Sequence, residues 1–82
     1  MSDPLTQNMA EKTRALLEYI IDFYAKHHYG PTFREAMIDL GWSTTSLVDH
    51  HVTQLERRGL VERVPNHPRS LKPTQVALGA LA

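Results

Sequence analysis

Through the first half of the chain, apolar residues recur at intervals of three and four; beyond Gly59 they give way to short strand-like runs separated by turn residues. Leu16, Leu17, Ile20 and Tyr24 share one helical face, and Ile21 and Phe23 widen the stripe to either side. This predicts a core-facing helix from about residue 8 or 9 to His27, opened by Asn8 and Glu11 at capping-box spacing. Tyr29-Gly30-Pro31 is expected to end it, because glycine tolerates left-handed dihedrals and proline lacks the donor a continuing helix needs. Thr32 and Glu35 repeat the capping-box spacing and Gly41 offers a left-handed cap, so a short second helix should turn Phe33, Ala36, Met37 and Leu40 inward. Trp42 is expected to pack across the following turn, and Ser43-Thr44-Thr45 brings capping hydroxyls to a third helix that runs from Thr45 to Arg58 and stops at Gly59.

Leu60 to Val64 then reads as a strand, Pro65-Asn66-His67-Pro68 as a turn, and Arg69 to Lys72 as a returning strand that Pro73 stops. The fold class predicted is mainly α with a small β-hairpin: a winged helix-turn-helix of three helices and a two-stranded wing. Residues 1–7 read as a flexible N-terminus, 8–73 as the domain, and 74–82 as an apolar tail serving as a frayed end, a packing segment or a dimer contact.

The third helix carries the candidate chemistry. At 100° per residue, Val48, Val52 and Leu55 define a buried side, while Ser46, His50, Thr53 and Arg57 fall within about 60° of one another on the opposite side. Asp49 and Gln54 flank them. These residue types have partners in the major groove of DNA: arginine with guanine, glutamine with adenine, aspartate with the cytosine amino group, serine or threonine with several bases or a phosphate. Any surface helix has a polar outer face, so the pattern gains weight only from its neighbours. Arg63, His67, Arg69 and Lys72 cluster on the expected hairpin, where cations can follow a phosphate backbone or enter a minor groove. Bases at a helix end such as Arg57-Arg58 also complement the helix dipole.

Composition narrows the alternatives. An 82-residue chain supports one domain with a modest core and little room for an enclosed catalytic cleft, which favours a binding module over an enzyme. The absence of cysteine removes disulfides, cysteine-zinc sites and thiol nucleophiles, and suits a cytoplasmic location. No apolar run approaches a membrane span. The net charge of zero argues against a nucleic-acid partner unless charge is segregated, and it is. Residues 1–41 hold six acids against four bases and residues 42–82 three against five, so the basic half is the one expected to face phosphate. His27-His28 and His50-His51 are adjacent pairs that diverge by 100° on a helix, not the separation by three or four that a helical metal site requires, and no glycine-framed nucleophile is present. Neither a cofactor, a metal nor a catalytic residue is expected. His51 is expected to be a half-buried packing residue.

In order and spacing, several features together resemble the N-terminal DNA-binding domain of the LexA repressors: the long first helix, Gly30-Pro31-Thr32 before a capped helix, Leu40-Gly41 plus an aromatic, the hydroxyl-rich turn, His51, Leu55-Glu56-Arg57-Arg58-Gly59-Leu60-Val61-Glu62 and Arg69-Ser70-Leu71. The resemblance covers about residues 9–74. It implies a winged helix-turn-helix with Thr44, Ser46, Leu47, Asp49 and His50 at the turn and recognition positions, joined on the residue reading by Thr53, Gln54 and Arg57. Backbone and wing contacts are expected from Thr32, Arg34, Arg63, His67, Arg69 and Lys72. Ala36-Met37 stands where the family usually has a large apolar residue followed by a small one, and Leu47 and His50 replace smaller or acidic residues, so the family's operator does not transfer. The family continues into a self-cleaving serine-lysine protease domain, which these 82 residues are expected to lack. The function expected is a sequence-specific, double-stranded-DNA-binding transcriptional regulator, a repressor acting as a homodimer. The alternative is a winged-helix module that binds a protein partner with weak or no DNA binding, suggested by the zero net charge, Leu47 exposed near the recognition face and the apolar tail.

Overall fold

A computed structural model describes residues 9–81, with side chains through residue 79. The elements follow in the order α1 (Glu11–His27), α2 (Phe33–Leu40), α3 (Thr45–Arg57), β1 (Val61–Glu62), β2 (Lys72–Pro73) and α4 (Gln75–Leu81). The architecture is mainly helical with one two-stranded antiparallel sheet, as a winged helix-turn-helix requires. The short C-terminal helix α4 is an addition to the expected three.

The core forms where the helices cross. Leu16, Leu17 and Ile20 of α1, Ala36 of α2, and Val48, Val52 and Leu55 of α3 are fully buried, and Leu60, Val61 and Leu71 close the layer from the wing. Each buried Val, Leu or Ile side chain contributes about 1.5–3 kcal/mol on leaving water. α1 packs on α3 and β2, and α2 packs on α3, which leaves the far side of α3 uncovered.

Helix ends show where local chemistry decided and where it did not. The Thr32–Glu35 capping box is complete: the Glu35 N–H donates to Thr32 Oγ1 at 3.0 Å, and the Thr32 N–H donates to Glu35 Oε1 at 2.9 Å. Gly41, at φ 70°, closes α2, with its own N–H donating to the Ile38 carbonyl and that of Trp42 to Met37, a double closure of the last turn. Gly59, at φ 72°, closes α3 in the same way through Glu56 and Leu55. The ends of α1 differ from expectation. Its N-cap is Ala10, with no side-chain cap, so the helix starts later than Asn8 would place it; Asn8 itself lies outside the described residues. Its left-handed cap is His28, at φ 62°, whose N–H donates to the Tyr24 carbonyl at 2.8 Å. Gly30 has another task. A Cβ there would stand 1.8 Å from the Leu71 carbonyl oxygen, so the absence of a side chain lets the wing close onto the α1–α2 loop.

The wing is shorter than its sequence suggests. Only Val61–Pro73 and Glu62–Lys72 pair, and Pro73 lies within β2 instead of ending it, at an edge where a missing donor costs nothing. Above that pair, Ser70 replaces the ladder: its hydroxyl accepts from the Val64 N–H at 2.9 Å and donates to the Val64 carbonyl at 3.1 Å. Over Gln75–Leu81 the tail is helical instead of frayed. Thr74 Oγ1 donates to the Gly59 carbonyl at 2.7 Å and accepts from the Ala77 N–H at 3.2 Å, starting α4, whose Ala77 is fully buried in the core.

Candidate nucleic-acid interface

With Val48, Val52 and Leu55 buried, Ser46, Asp49, His50 and Arg57 are exposed along the outer side of α3, the arrangement expected from helical geometry. The remaining candidates are partly committed. Thr44 is exposed but caps α3, its Oγ1 accepting from the Leu47 N–H at 3.2 Å. Thr53 is half-buried and its hydroxyl donates to the Asp49 carbonyl at 3.0 Å, which leaves its oxygen able only to accept. Leu47 is half-buried, not exposed as the protein-partner alternative supposed. Gln54 is half-buried too and lines a shallow hollow of about 210 Å³ with His50, Thr13 and Arg58, on the side of α3 that faces α1.

Three of the four wing candidates, Arg63, Arg69 and Lys72, are held by carboxylates. Arg69 forks onto Glu35 with both contacts at 3.0 Å and stacks over Tyr29 at 4.8 Å. Lys72 reaches Glu62 at 3.3 Å, and Arg63 reaches Glu56 at 3.2 Å and Asp49 at 3.4 Å. These pairs form because the acids of α2, α3 and β1 face the hairpin. Pairs as exposed as Lys72–Glu62 contribute 0–1 kcal/mol in water, so a phosphate can take the place of such a carboxylate at little cost. His67 sits exposed in the wing turn, Arg34 is exposed on α2, and Thr32 is half-buried in its capping box. Glu35's carboxyl is pulled below its ordinary range first by the Thr32 backbone N–H and then by Arg69; Arg69 in turn is pushed up by Glu35.

Two anchors of α3 and α2 had gone unread in the sequence. Thr13 is buried on α1, and its Oγ1 lies 2.7 Å from His51 Nδ1; either can donate, according to the imidazole tautomer. Trp42 covers the same imidazole at 5.3 Å. Burial, then His50 and Lys12, lower the His51 pKa. The signal was available, since Thr13 precedes Leu16 and Leu17 by three and four residues on the core stripe. Tyr19 donates to Asp39 Oδ2 at 2.7 Å, tying α1 to α2, and burial, then this hydrogen bond, raises the phenol's pKa well above its usual value. Among the described residues no three His, Asp or Glu side chains gather as a metal site, and no helix is long and apolar enough to cross a membrane.

The LexA DNA binding domain family profile matches residues 4–70. The chain belongs to this family. It is 36% identical over 77 residues to the LexA repressor of Pediococcus pentosaceus, covering 94% of this chain and 37% of that protein. It is 39% identical over 70 residues to the LexA repressor of Lactobacillus delbrueckii subsp. bulgaricus, covering 85% and 34%. Oenococcus oeni has a LexA repressor 38% identical over 74 residues, covering 89% and 35%. The chain thus spans about a third of the length of the curated relatives it matches. In this LexA-type domain, the outer side of α3 presents Ser46, Asp49, His50 and Arg57 to solvent.

Proposed function

We propose that this LexA-type domain binds double-stranded DNA sequence-specifically and acts as a transcriptional repressor, with α3 in the major groove and the wing along the phosphate backbone. One observation carries the reading: Ser46, His50 and Arg57 project from the side of α3 opposite its buried Val48, Val52 and Leu55. A groove about 12 Å wide admits a helix presented in that way. Base readout is assigned to Ser46, Asp49, His50 and Arg57, with Gln54 at the edge and Thr44, Leu47 and Thr53 shaping the contact. Backbone contacts are assigned to Thr32, Arg34, Arg63, His67, Arg69 and Lys72, with Arg69 and Lys72 exchanging carboxylate for phosphate.

One domain of this size offers few base contacts, so two copies on half-sites about one helical turn apart, roughly 34–36 Å, are the arrangement proposed. The domain works by binding in the cytoplasm, without catalysis, metal or cofactor. Selection from a random duplex pool tests the reading, followed by titration of the selected and random duplexes against salt. Enrichment of one motif that Ser46→Ala and Arg57→Ala weaken supports it; no enrichment and no salt dependence overturn it. The three paired wing cations and the exposed Ile38 and Val64 favour a second reading, a protein partner, which predicts saturable protein binding undiminished by salt.

A further inference from the structure

Arg63 is held on three sides by elements other than its own. Its guanidinium lies 3.4 Å from Asp49 Oδ1, 3.2 Å from Glu56 Oε1 two turns further along α3, and 5.3 Å above the ring of Phe33, the first residue of α2. The side chain is 28% exposed, less than its acid partner Asp49 at 56%. A pair this close to solvent adds too little to stability for that to be its main consequence. What it does fix is direction. A guanidinium held between two carboxylates and over an aromatic ring has little freedom to turn, so the carboxylate oxygen bound to it is held as well.

Asp49 is the more exposed of the two acids on α3, and an ionised carboxylate accepts hydrogen bonds only. Left unheld, it would repel the phosphates that flank a groove. Among the described residues its Oδ1 is the oxygen engaged, which leaves Oδ2 as an acceptor on a half-exposed side chain. We propose that Arg63 is a positioning residue for sequence readout: from the wing it neutralises Asp49 and orients the free carboxylate oxygen to accept from the N4 amino group of a cytosine in the major groove. Glu56 and Phe33 keep the guanidinium in place, and the wing thereby sets a base preference on the helix. This inference rests on the DNA-binding reading of α3.

The test is selection of duplexes by the full chain and by its Asp49→Ala, Arg63→Ala and Arg63→Lys variants, with thermal melts to confirm that each is folded. Asp49→Ala identifies the position at which cytosine preference is lost. Arg63→Ala is expected to lower the preference at that same position about fivefold or more, the low end of what one good base contact discriminates. Lysine keeps the charge but not the flat fork, so Arg63→Lys is expected to fall between the two. In the double variant Arg63→Ala/Asp49→Ala, the preference there should equal that of Asp49→Ala alone. Uniformly weaker binding by Arg63→Ala, with the Asp49-dependent preference intact, overturns the inference and leaves the DNA-binding reading standing. An Asp49→Ala variant that keeps every base preference also overturns it. A native chain that enriches no duplex overturns both.

Discussion

The Glu35 carboxylate binds both Nη atoms of Arg69 at 3.0 Å, while its Oε1 also accepts the Thr32 N–H at 2.9 Å. One side chain therefore starts α2 and fastens the wing. The two tasks separate by substitution: Glu35→Gln keeps a carbonyl oxygen for the Thr32 N–H but loses the charge, whereas Glu35→Ala loses both. The expected order of melting temperature is native, then Glu35→Gln, then Glu35→Ala. Faster amide exchange in the wing is expected in both variants, measured by hydrogen exchange at Ser70 and Leu71. Thr32→Ala removes the other half of the capping box and is expected to cost about 1 kcal/mol.

Because the Glu35 pKa is lower in the folded state, the unfolded chain takes up its proton first as pH falls. Its contribution to stability is present above the ordinary glutamate value of about 4.3 and is lost as pH drops through the depressed folded value. Urea midpoints across that range should fall less steeply in Glu35→Gln than in the native chain.

The buried His51 produces a second acid dependence, at higher pH. Burial, with His50 and Lys12 nearby, lowers its pKa, so the unfolded chain binds the proton first and stability declines as pH falls below about 6.5. Thr13→Val removes the hydroxyl from the 2.7 Å contact at nearly constant volume and is expected to cost about 1–3 kcal/mol, the penalty for leaving a buried polar atom unmatched. Chemical denaturation at pH 7.5 and pH 5.5 measures both effects.

Two glycines should respond to different degrees to the same change. Gly30→Ala places a methyl 1.8 Å from the Leu71 carbonyl oxygen, and rigid backbone on both sides leaves no easy relief. Gly41→Ala meets nothing within 4 Å and costs only its left-handed conformation, about 1–2 kcal/mol. Gly30→Ala is therefore expected to lower the melting temperature more than Gly41→Ala and to disturb wing amide resonances that Gly41→Ala leaves in place.

For DNA, Arg57→Ala is expected to reduce the slope of log affinity against log salt by about 1 if its contact is with phosphate, and to relax one base position if it is with guanine. Fluorescence anisotropy on selected and scrambled duplexes separates the two.

Much of this fold was legible because its helices obey local rules. The α2 box, the glycine caps at Gly41 and Gly59, and the inward Val48, Val52 and Leu55 all follow from spacing alone. Gly30 and Pro73 were misread because their roles depend on residues forty-one and twelve positions away, Leu71 and Val61, which no local pattern exposes. The pairing of Arg63, Arg69 and Lys72 was hidden for the same reason: a list of charges gives the balance, not which acids the hairpin meets. α4 escaped because its start depends on Thr74 reaching the Gly59 carbonyl, a contact that exists only once the wing has folded back.

The missing side chain at Gly30 has a mechanical consequence. With the Leu71 backbone seated directly against it and the Gly30 N–H donating to the Arg69 carbonyl at 3.1 Å, the returning arm of the hairpin is locked to the junction between the first two helices. The span from hairpin to α3 then behaves as a stiff calliper. On the proposed DNA-binding reading, a double helix of the wrong groove width would have to deform to fill it, so sequences that bend or narrow easily gain an advantage before any base edge is touched.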